Sequence, residues 1–534
     1  MAPHTHRPNA VRSSMRSTRA FKVVFPLVLA IFGCVSGCSN DGGKTAGTPK
    51  NVILVTLDTT RPDFFGAWGR AGDPTPNFDS LAKDGVRFAE AVSSSALTPV
   101  SHASILTGRA PYGHRLRILA GPSGFQLPEE VPTLGSVLKE RGFATAAFHS
   151  SFPVSAIYGF GKGFDVFEDV AGTGLVPNKD GSMKWDVTKG QRRSDTTTSM
   201  VLDFVEKTTE PFFIWIHYWD PHDPYMMPPN EYMQEKGVPF GPNGPDMQSI
   251  ERYAAEISYV DKQFGTIMDT LKEKGLYSDT LFAVVADHGE GLDDGYRRHG
   301  WGAHRILYQE QIHVPLIMRV PGASSSLDVT QLVRSVDIFP TVLDYLDIAP
   351  PGQLEGRSLR DLIESDPNPE PRIAYADQIN LWDANAKMLE RRPKADFIHV
   401  LMTDEYKLIY RPSYPRDSEL YEIRKDPDEM KNIFGDPTKR GIVVSMLEDL
   451  ARRDPWVLRP YTAEEGGGMS QHDMDMLGNL GYAEGGDAST IDASGMWEWL
   501  CPKEWKRLES SGPCSSCSTL TVPVRKAPPV STEK

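Results

Sequence analysis

NVILVTLD, residues 51–58, is an almost unbroken run of apolar and β-branched side chains that ends on a carboxylate. Three later stretches share its texture: FATAAF at 143–148, FFIWIHY at 212–218 and TLFAVVA at 280–286. Continuous runs of this kind suit strands buried on both faces of a mainly parallel sheet. Helical patterns lie between them, at Val131–Glu140 and in the long amphipathic stretch Ser249–Lys274. Alternating strands and helices predict an α/β body with a doubly wound, mainly parallel sheet. After about residue 365 the texture changes. Pro-rich SDPNPEPR precedes one extended segment, Phe397–Tyr410, and then Glu419–Tyr421, which together predict a smaller C-terminal antiparallel-sheet subdomain. The expected division is a main domain at 50–365, an α+β subdomain at 366–465 and an irregular tail at 466–534.

The chain has 534 residues, 40% apolar and 24% charged, with a net charge of -14. This composition excludes a disordered, collagen-like or multi-span membrane protein. The acidic balance, without a basic stripe to offset it, argues against nucleic acid as a partner. Five cysteines are too few for a disulfide scaffold of this length.

Residues 1–22 carry Arg7, Arg12, Arg16, Arg19 and Lys22 and no acid. The apolar run Val23–Phe32 follows, too short to cross a hydrocarbon core of about 30 Å as a helix. Val35-Ser36-Gly37-Cys38 then supplies small residues before a cysteine. That order describes a secretory signal, and the last four residues resemble a bacterial lipobox. Residues 1–37 are expected to be a lipoprotein signal peptide, Cys38 a lipid anchor to a membrane, and residues 38–49 a flexible tether. The expected location is the bacterial cell envelope, on its periplasmic or surface side. Ser39 is not the aspartate associated with inner-membrane retention, which favours the outer membrane.

The apolar runs end in groups that bind metals or move protons. The first delivers Asp58, the third Asp220 and His222, the fourth Asp287 and His288. In open α/β sheets ligands bind outside the carboxyl ends of the strands, so these side chains can converge. LTPVSHASILTGR, residues 97–109, reads as a helix with Thr98 as N-cap, Pro99 in the first turn and Gly108 as its stop. A hydroxyl there sits where backbone N–H groups and the helix dipole favour an anion. A divalent cation held by Asp58, Asp287 and His288 would favour the Thr98 alkoxide.

LVTLDTTRPDFFGAWG and TPNFDSLAKDGVRF resemble the opening of the sulfatase-like branch of the alkaline phosphatase superfamily. TPVSHASILTGR is similar to its nucleophile motif. VVADHGEGL, LYQEQIHVPLIMRVPG, DIFPTVLDYL, EYKLIYRP and ELYEIRKDPDE resemble its later blocks, in order, from about residue 50 to 435. The resemblance implies a large, mostly parallel mixed sheet sandwiched by helices with a smaller C-terminal sheet, and a hydrolase of anionic esters with one divalent metal ion (Ca, Mn, Mg or Zn). It implies Asp58, Asp287, His288 and the Thr98 oxygen as metal ligands, Thr98 as nucleophile and His222 as the group serving the leaving group. Where the family places a Lys or His before its LYxE segment, His304 is the nearest candidate and His299 a second. A second ion on Asp220 and His304 is an open alternative.

The departures carry information too. Formylglycine-dependent members need Cys or Ser at the nucleophile and Arg four residues on; this chain has Thr98 and His102. Thr59 replaces the second Asp of the usual pair, and His288 the usual Asn. These changes resemble phosphodiesterase- and phosphonate-hydrolase-type relatives. A formylglycine hydrate can shed sulfate by breaking its own C–O bond, whereas a threonine ester must be opened by water at phosphorus or sulfur. Sulfate, phosphate and phosphonate esters are therefore all candidate substrates, with phosphorus favoured. Two other readings stay open: a transferase passing a phospho-headgroup to an envelope acceptor, and a non-catalytic surface-anchored binding lipoprotein.

Other residues have plainer readings. His217, inside an apolar run, reads as a core histidine; His114 and Arg115 either border an anion pocket or cap a loop. Cys501, Cys514 and Cys517 offer either a zinc site or, favoured in an exported tail, one disulfide, and Trp497 and Trp499 are candidates to dock that tail onto the body. The anchor is directly testable: Cys38→Ala is expected to move the protein from the membrane to the soluble fraction of its cells. Unchanged fractionation rules the anchor out.

Overall fold

In the computed structural model, the described residues are 47–117, 126–170, 190–208, 211–222, 227–241, 249–292, 306–366 except 324, 369–380 and 396–454 except 413. Short pieces at 175–177, 183–185, 244–245, 247, 461–462 and 490–491 complete them. The signal, Cys38, His299, His304, the tail cysteines, Trp497 and Trp499 lie outside the described residues. The described residues of both main sheets belong to one compact unit.

The strands of these two sheets are numbered in chain order. The larger holds β1 (Asn51–Leu57), β2 (Val86–Val92), β3 (Ala144–Phe148), β4 (Val166–Glu168), β5 (Phe212–Tyr218), β6 (Thr280–Ala286), β7 (His313–Arg319) and β8 (Leu327–Arg334). Its eight strands run in the order β8-β2-β7-β6-β1-β5-β3-β4. β7 alone is antiparallel to its neighbours β6 and β2; the other pairings are parallel. The expected mixed, mostly parallel sheet is therefore present. β1, β5 and β6 are buried at every position, as their unalternating apolar sequences require.

The helices Pro76–Asp84, Leu134–Glu140, Ser194–Lys207 and Ser249–Glu273 surround this sheet. Leu134–Glu140 starts three residues later than the sequence pattern suggested, because Thr133 caps it by accepting the Ser136 N–H. Thr98–Thr107 is buried at all ten positions and stops at Gly108, whose φ of 65° is the left-handed geometry of a helix end. A side chain at Gly108 would also press on Phe339.

The smaller sheet is antiparallel, in the order β9 (Ala374–Asn380), β10 (Asp396–Met402), β11 (Tyr406–Tyr410) and β12 (Glu419–Glu422). The single extended segment expected at 397–410 is thus a hairpin. Its turn closes where the Thr403 hydroxyl accepts the N–H groups of Glu405 and Tyr406. Alternation decides what each face covers. Leu401, Leu408, Tyr410 and Leu420 pack on Val443, Leu447 and Leu450 of the Arg440–Arg453 helix. Ile398, Val400, Met402 and Ile409 pack with Val92, Ala96, Leu307, Ile312 and Leu332 of the main body.

A buried polar cluster reinforces that joint. Arg117 pairs with Asp377 on β9 and, at 2.9 Å, with Asp454 at the end of the last long helix. The Tyr375 hydroxyl lies 2.6 Å from Asp377 and 2.7 Å from Asp454, with His399 Nδ1 at 3.2 Å. The Asp377 N–H donates to Ser94, and Ser95 Oγ donates to the Asp377 carbonyl. One phenolic proton cannot serve two carboxylates. Burial pushes the Asp377 carboxyl up to about 6, against the pull of Arg117 and with Asp454 adding to the rise; burial also keeps His399 neutral.

A carboxyl that holds its proton more tightly when folded stabilises the fold below its unfolded value, here 3.8. That contribution is lost as pH climbs through the folded value. Asp377→Asn is therefore expected to gain melting temperature relative to wild type as pH rises from about 4 to about 7. A difference that stays flat across that range contradicts a shared proton in this cluster.

Candidate active site and metal centre

β1 and β6 are neighbours in register, with Leu57 opposite Ala286, so the residues that follow them emerge side by side. Asp58 and Asp287 are both completely buried, as is His288. One ligand atom from each lies within 4.8 Å of the others. Two carboxylates buried side by side repel. Burial pushes both well above the usual carboxylate range; for Asp58 the charges of Asp287 and Glu290 add to this, while the nearby Thr98 hydroxyl eases both.

The hydrogen bonds leave one atom of each side chain facing inward. Asp287 Oδ1 accepts the N–H groups of Thr59 at 3.1 Å and His288 at 2.6 Å, while its Oδ2 is buried with no partner. Asp58 Oδ2 lies 3.2 Å from His217 Nε2, and its Oδ1 is likewise buried with no partner. His288 Nδ1 donates to the Gly289 carbonyl at 2.9 Å, which leaves Nε2 with its lone pair. Two orphaned carboxylate oxygens and one imidazole lone pair fit a divalent cation, and each ligand is already held from behind.

Thr98 faces the same point, with Oγ1 3.2 Å from His288 Nε2. The structure corrects its expected role as N-cap. Leu97 holds that position, and Thr98 is the first helical residue. The helix is pinned to β6 by Ser101 Oγ, 2.6 Å from the Asp287 carbonyl, which Ser93 Oγ also approaches.

Thr59 occupies the left-handed region at φ 45°, which is unusual for a β-branched residue. Its N–H is spent on Asp287, and Tyr253 Oη donates to its carbonyl at 2.6 Å while accepting the Arg61 N–H at 2.9 Å. Strain held on both sides beside a site is a mark of a position fixed for function.

His102 lies behind the helix rather than at its tip. Trp215 Nε1 donates to Thr56 Oγ1 at 3.0 Å, Thr56 Oγ1 donates to His102 Nε2 at 3.0 Å, and His102 Nδ1 donates to the Thr98 carbonyl at 2.8 Å. Burial pushes the His102 imidazole down to about 3, so it stays neutral. Asp220 accepts the N–H and hydroxyl of Ser194, at the start of the Ser194–Lys207 helix. Burial holds its carboxyl up at about 7. It caps that helix, and its suggested ion partner His304 is outside the described residues. His222 stacks on Trp219, centroids 3.9 Å apart. His114 accepts the Leu116 N–H and bonds Ser104 Oγ, while Arg115 pairs with Glu130; both secure a turn.

The sequence profile of the sulfatase family matches residues 50–348, more than half of the chain. A second profile, the C-terminal region of N-sulphoglucosamine sulphohydrolase, matches residues 297–454. The chain belongs to the sulfatase family, within the alkaline phosphatase superfamily, and is a hydrolase acting on ester bonds. An arylsulfatase of Clostridium perfringens is 24% identical over 459 residues, covering 72% of this chain and 90% of the relative. Among solved structures, BT4656 in complex with its substrate D-glucosamine-2-N,6-O-disulfate superposes with a TM-score of 0.62 at 21% identity, covering 76% of this chain and 98% of the other. The phosphonate monoester hydrolase of Agrobacterium radiobacter gives 0.56 at 21% identity, covering 76% and 95%.

Proposed function

We propose that this enzyme is a metal-dependent hydrolase of sulfate, phosphate or phosphonate esters that uses Thr98 as its nucleophile. The observation that carries the proposal is the meeting of Thr98 Oγ1 with Asp58, Asp287 and His288 at the ends of two adjacent strands. The ligand atoms would be Asp58 Oδ1, Asp287 Oδ2 and His288 Nε2, joined by the Thr98 oxygen. A divalent ion there supplies charge neutralisation for an anionic ester and lowers the cost of deprotonating the threonine.

The protein's own groups then divide the work. Thr98 Oγ, its proton released to solvent, attacks the phosphorus or sulfur of the ester as the bond to the alcohol oxygen breaks, at a helix start whose N–H groups favour developing negative charge. The hydrogen-bonded chain Trp215–Thr56–His102 holds the Thr98 backbone from behind, so His102 acts here as a positioning residue. His222, clamped on Trp219, donates a proton to the departing alcohol. His304 is proposed to assist from the segment before Leu307. Water then opens the threonine ester at phosphorus or sulfur, because a plain alcohol has no route through its own C–O bond. The same centre would serve an envelope transferase if an alcohol replaced that water. The arylsulfatase and phosphonate monoester hydrolase relatives support both halves of the substrate range. Membrane anchoring through Cys38 would place this activity in the cell envelope.

Removing the hydroxyl leaves the three ligands and the helix in place. Thr98→Ala is expected to lower kcat at least about a thousandfold with a smaller change in KM, and Thr98→Ser to stay within about tenfold of wild type. Steady-state kinetics on aryl sulfate, phosphate monoester, phosphodiester and phosphonate panels check both. Near-wild-type turnover by Thr98→Ala would reduce the residue to a helix start.

A further inference from the structure

The Asp58 carboxylate is aimed by a histidine that the scheme above leaves unused. His217 is the sixth residue of β5, opposite Thr56 of β1, and is completely buried. Its Nδ1 accepts the Ser150 N–H at 3.3 Å. A ring nitrogen that accepts carries the lone pair, so the proton of the neutral ring is on Nε2. Nε2 lies 3.2 Å from Asp58 Oδ2 and therefore donates to it.

The ring cannot easily turn. Ser150 Oγ donates to the His217 carbonyl at 2.7 Å and is itself 2.8 Å from Thr197 Oγ1. His102 packs edge-to-face against the imidazole at 4.9 Å.

We propose that His217 is a positioning residue that presents Asp58 to the metal through one fixed oxygen, Oδ1, and so sets the affinity of the site. The proposal rests on Asp58, Asp287 and His288 forming the metal centre. An unrestrained carboxylate can swing, or bind through both oxygens. A donor fixed on Oδ2 removes that freedom before the ion arrives. A neutral imidazole does so without the repulsion that a Lys or Arg would exert on a divalent cation. It also eases the cost of keeping Asp58 ionised in a dry site. Outer partners of this kind typically change metal affinity by about 10- to 100-fold.

The full-length chain, stripped with chelator, is titrated calorimetrically with Mn²⁺ as wild type, His217→Leu and His217→Gln. The metal-free melting temperature of each variant reads loss of fold separately. His217→Leu is expected to bind Mn²⁺ about 10- to 100-fold more weakly, and His217→Gln, whose amide N–H can reach the same oxygen, to recover most of that loss. Equal affinity in all three proteins overturns the proposal, and so does equal weakening by Leu and Gln, which would mark a packing role. Wild type that binds no Mn²⁺ overturns the metal centre and this proposal with it. Should His217→Leu fail to melt cooperatively, ¹⁵N resonances of the His217 ring in the wild type decide. Protonated Nε2 with bare Nδ1 supports the proposal; the opposite tautomer overturns it.

Discussion

Two buried carboxylates placed side by side are the constraint on which the rest of this structure turns. Asp58 and Asp287 gain nothing for stability by sitting together in a dry site. The fold nevertheless brings them there from adjacent strands and gives each hydrogen bonds from one side only. That arrangement, which hardens the repulsion instead of relaxing it, is what the proposed cation site accounts for.

The surroundings extend the same logic. Ser93 and Ser101 tie the Thr98 helix to the carbonyl of Asp287, so the proposed nucleophile and the proposed ligand are held to one another. Tyr253 holds Thr59 in a conformation its branched side chain disfavours, which keeps the Thr59 N–H on Asp287 Oδ1. The C-terminal sheet reaches the same region through Asp377, whose backbone and carbonyl grip Ser94 and Ser95 a few residues before Thr98. The smaller sheet thus buttresses the segment that leads into Thr98.

Much of this was legible in the sequence, for physical reasons that differ from strand to strand. β1, β5 and β6 showed as unbroken apolar runs because helices cover both their faces. β2 and β8 did not, since Arg87, Glu90, Asp328 and Gln331 interrupt them where they face partly outward. β7 carries Pro315 at the point where its register with β2 shifts, and a proline inside a run argues against a strand until that irregularity is seen. Asp58, Asp287, His288 and Thr98 could be found because each stands where a regular element starts or ends. His217 could not. An imidazole in an apolar run looks like core, and the direction of its proton is set by the Ser150 N–H, 67 residues earlier in the chain. Thr98 as first helical residue and not cap was equally a matter of one position, visible only once Leu97 is seen in the cap geometry.

The most direct test of this account is crystallographic. Anomalous diffraction at the absorption edge of bound Mn²⁺ or Zn²⁺ is expected to place one ion about 2.0–2.2 Å from Asp58 Oδ1, Asp287 Oδ2 and His288 Nε2, with Thr98 Oγ completing the set. An ion held elsewhere, one bound through Asp58 Oδ2, or crystals of active enzyme with no anomalous peak at this point would contradict it.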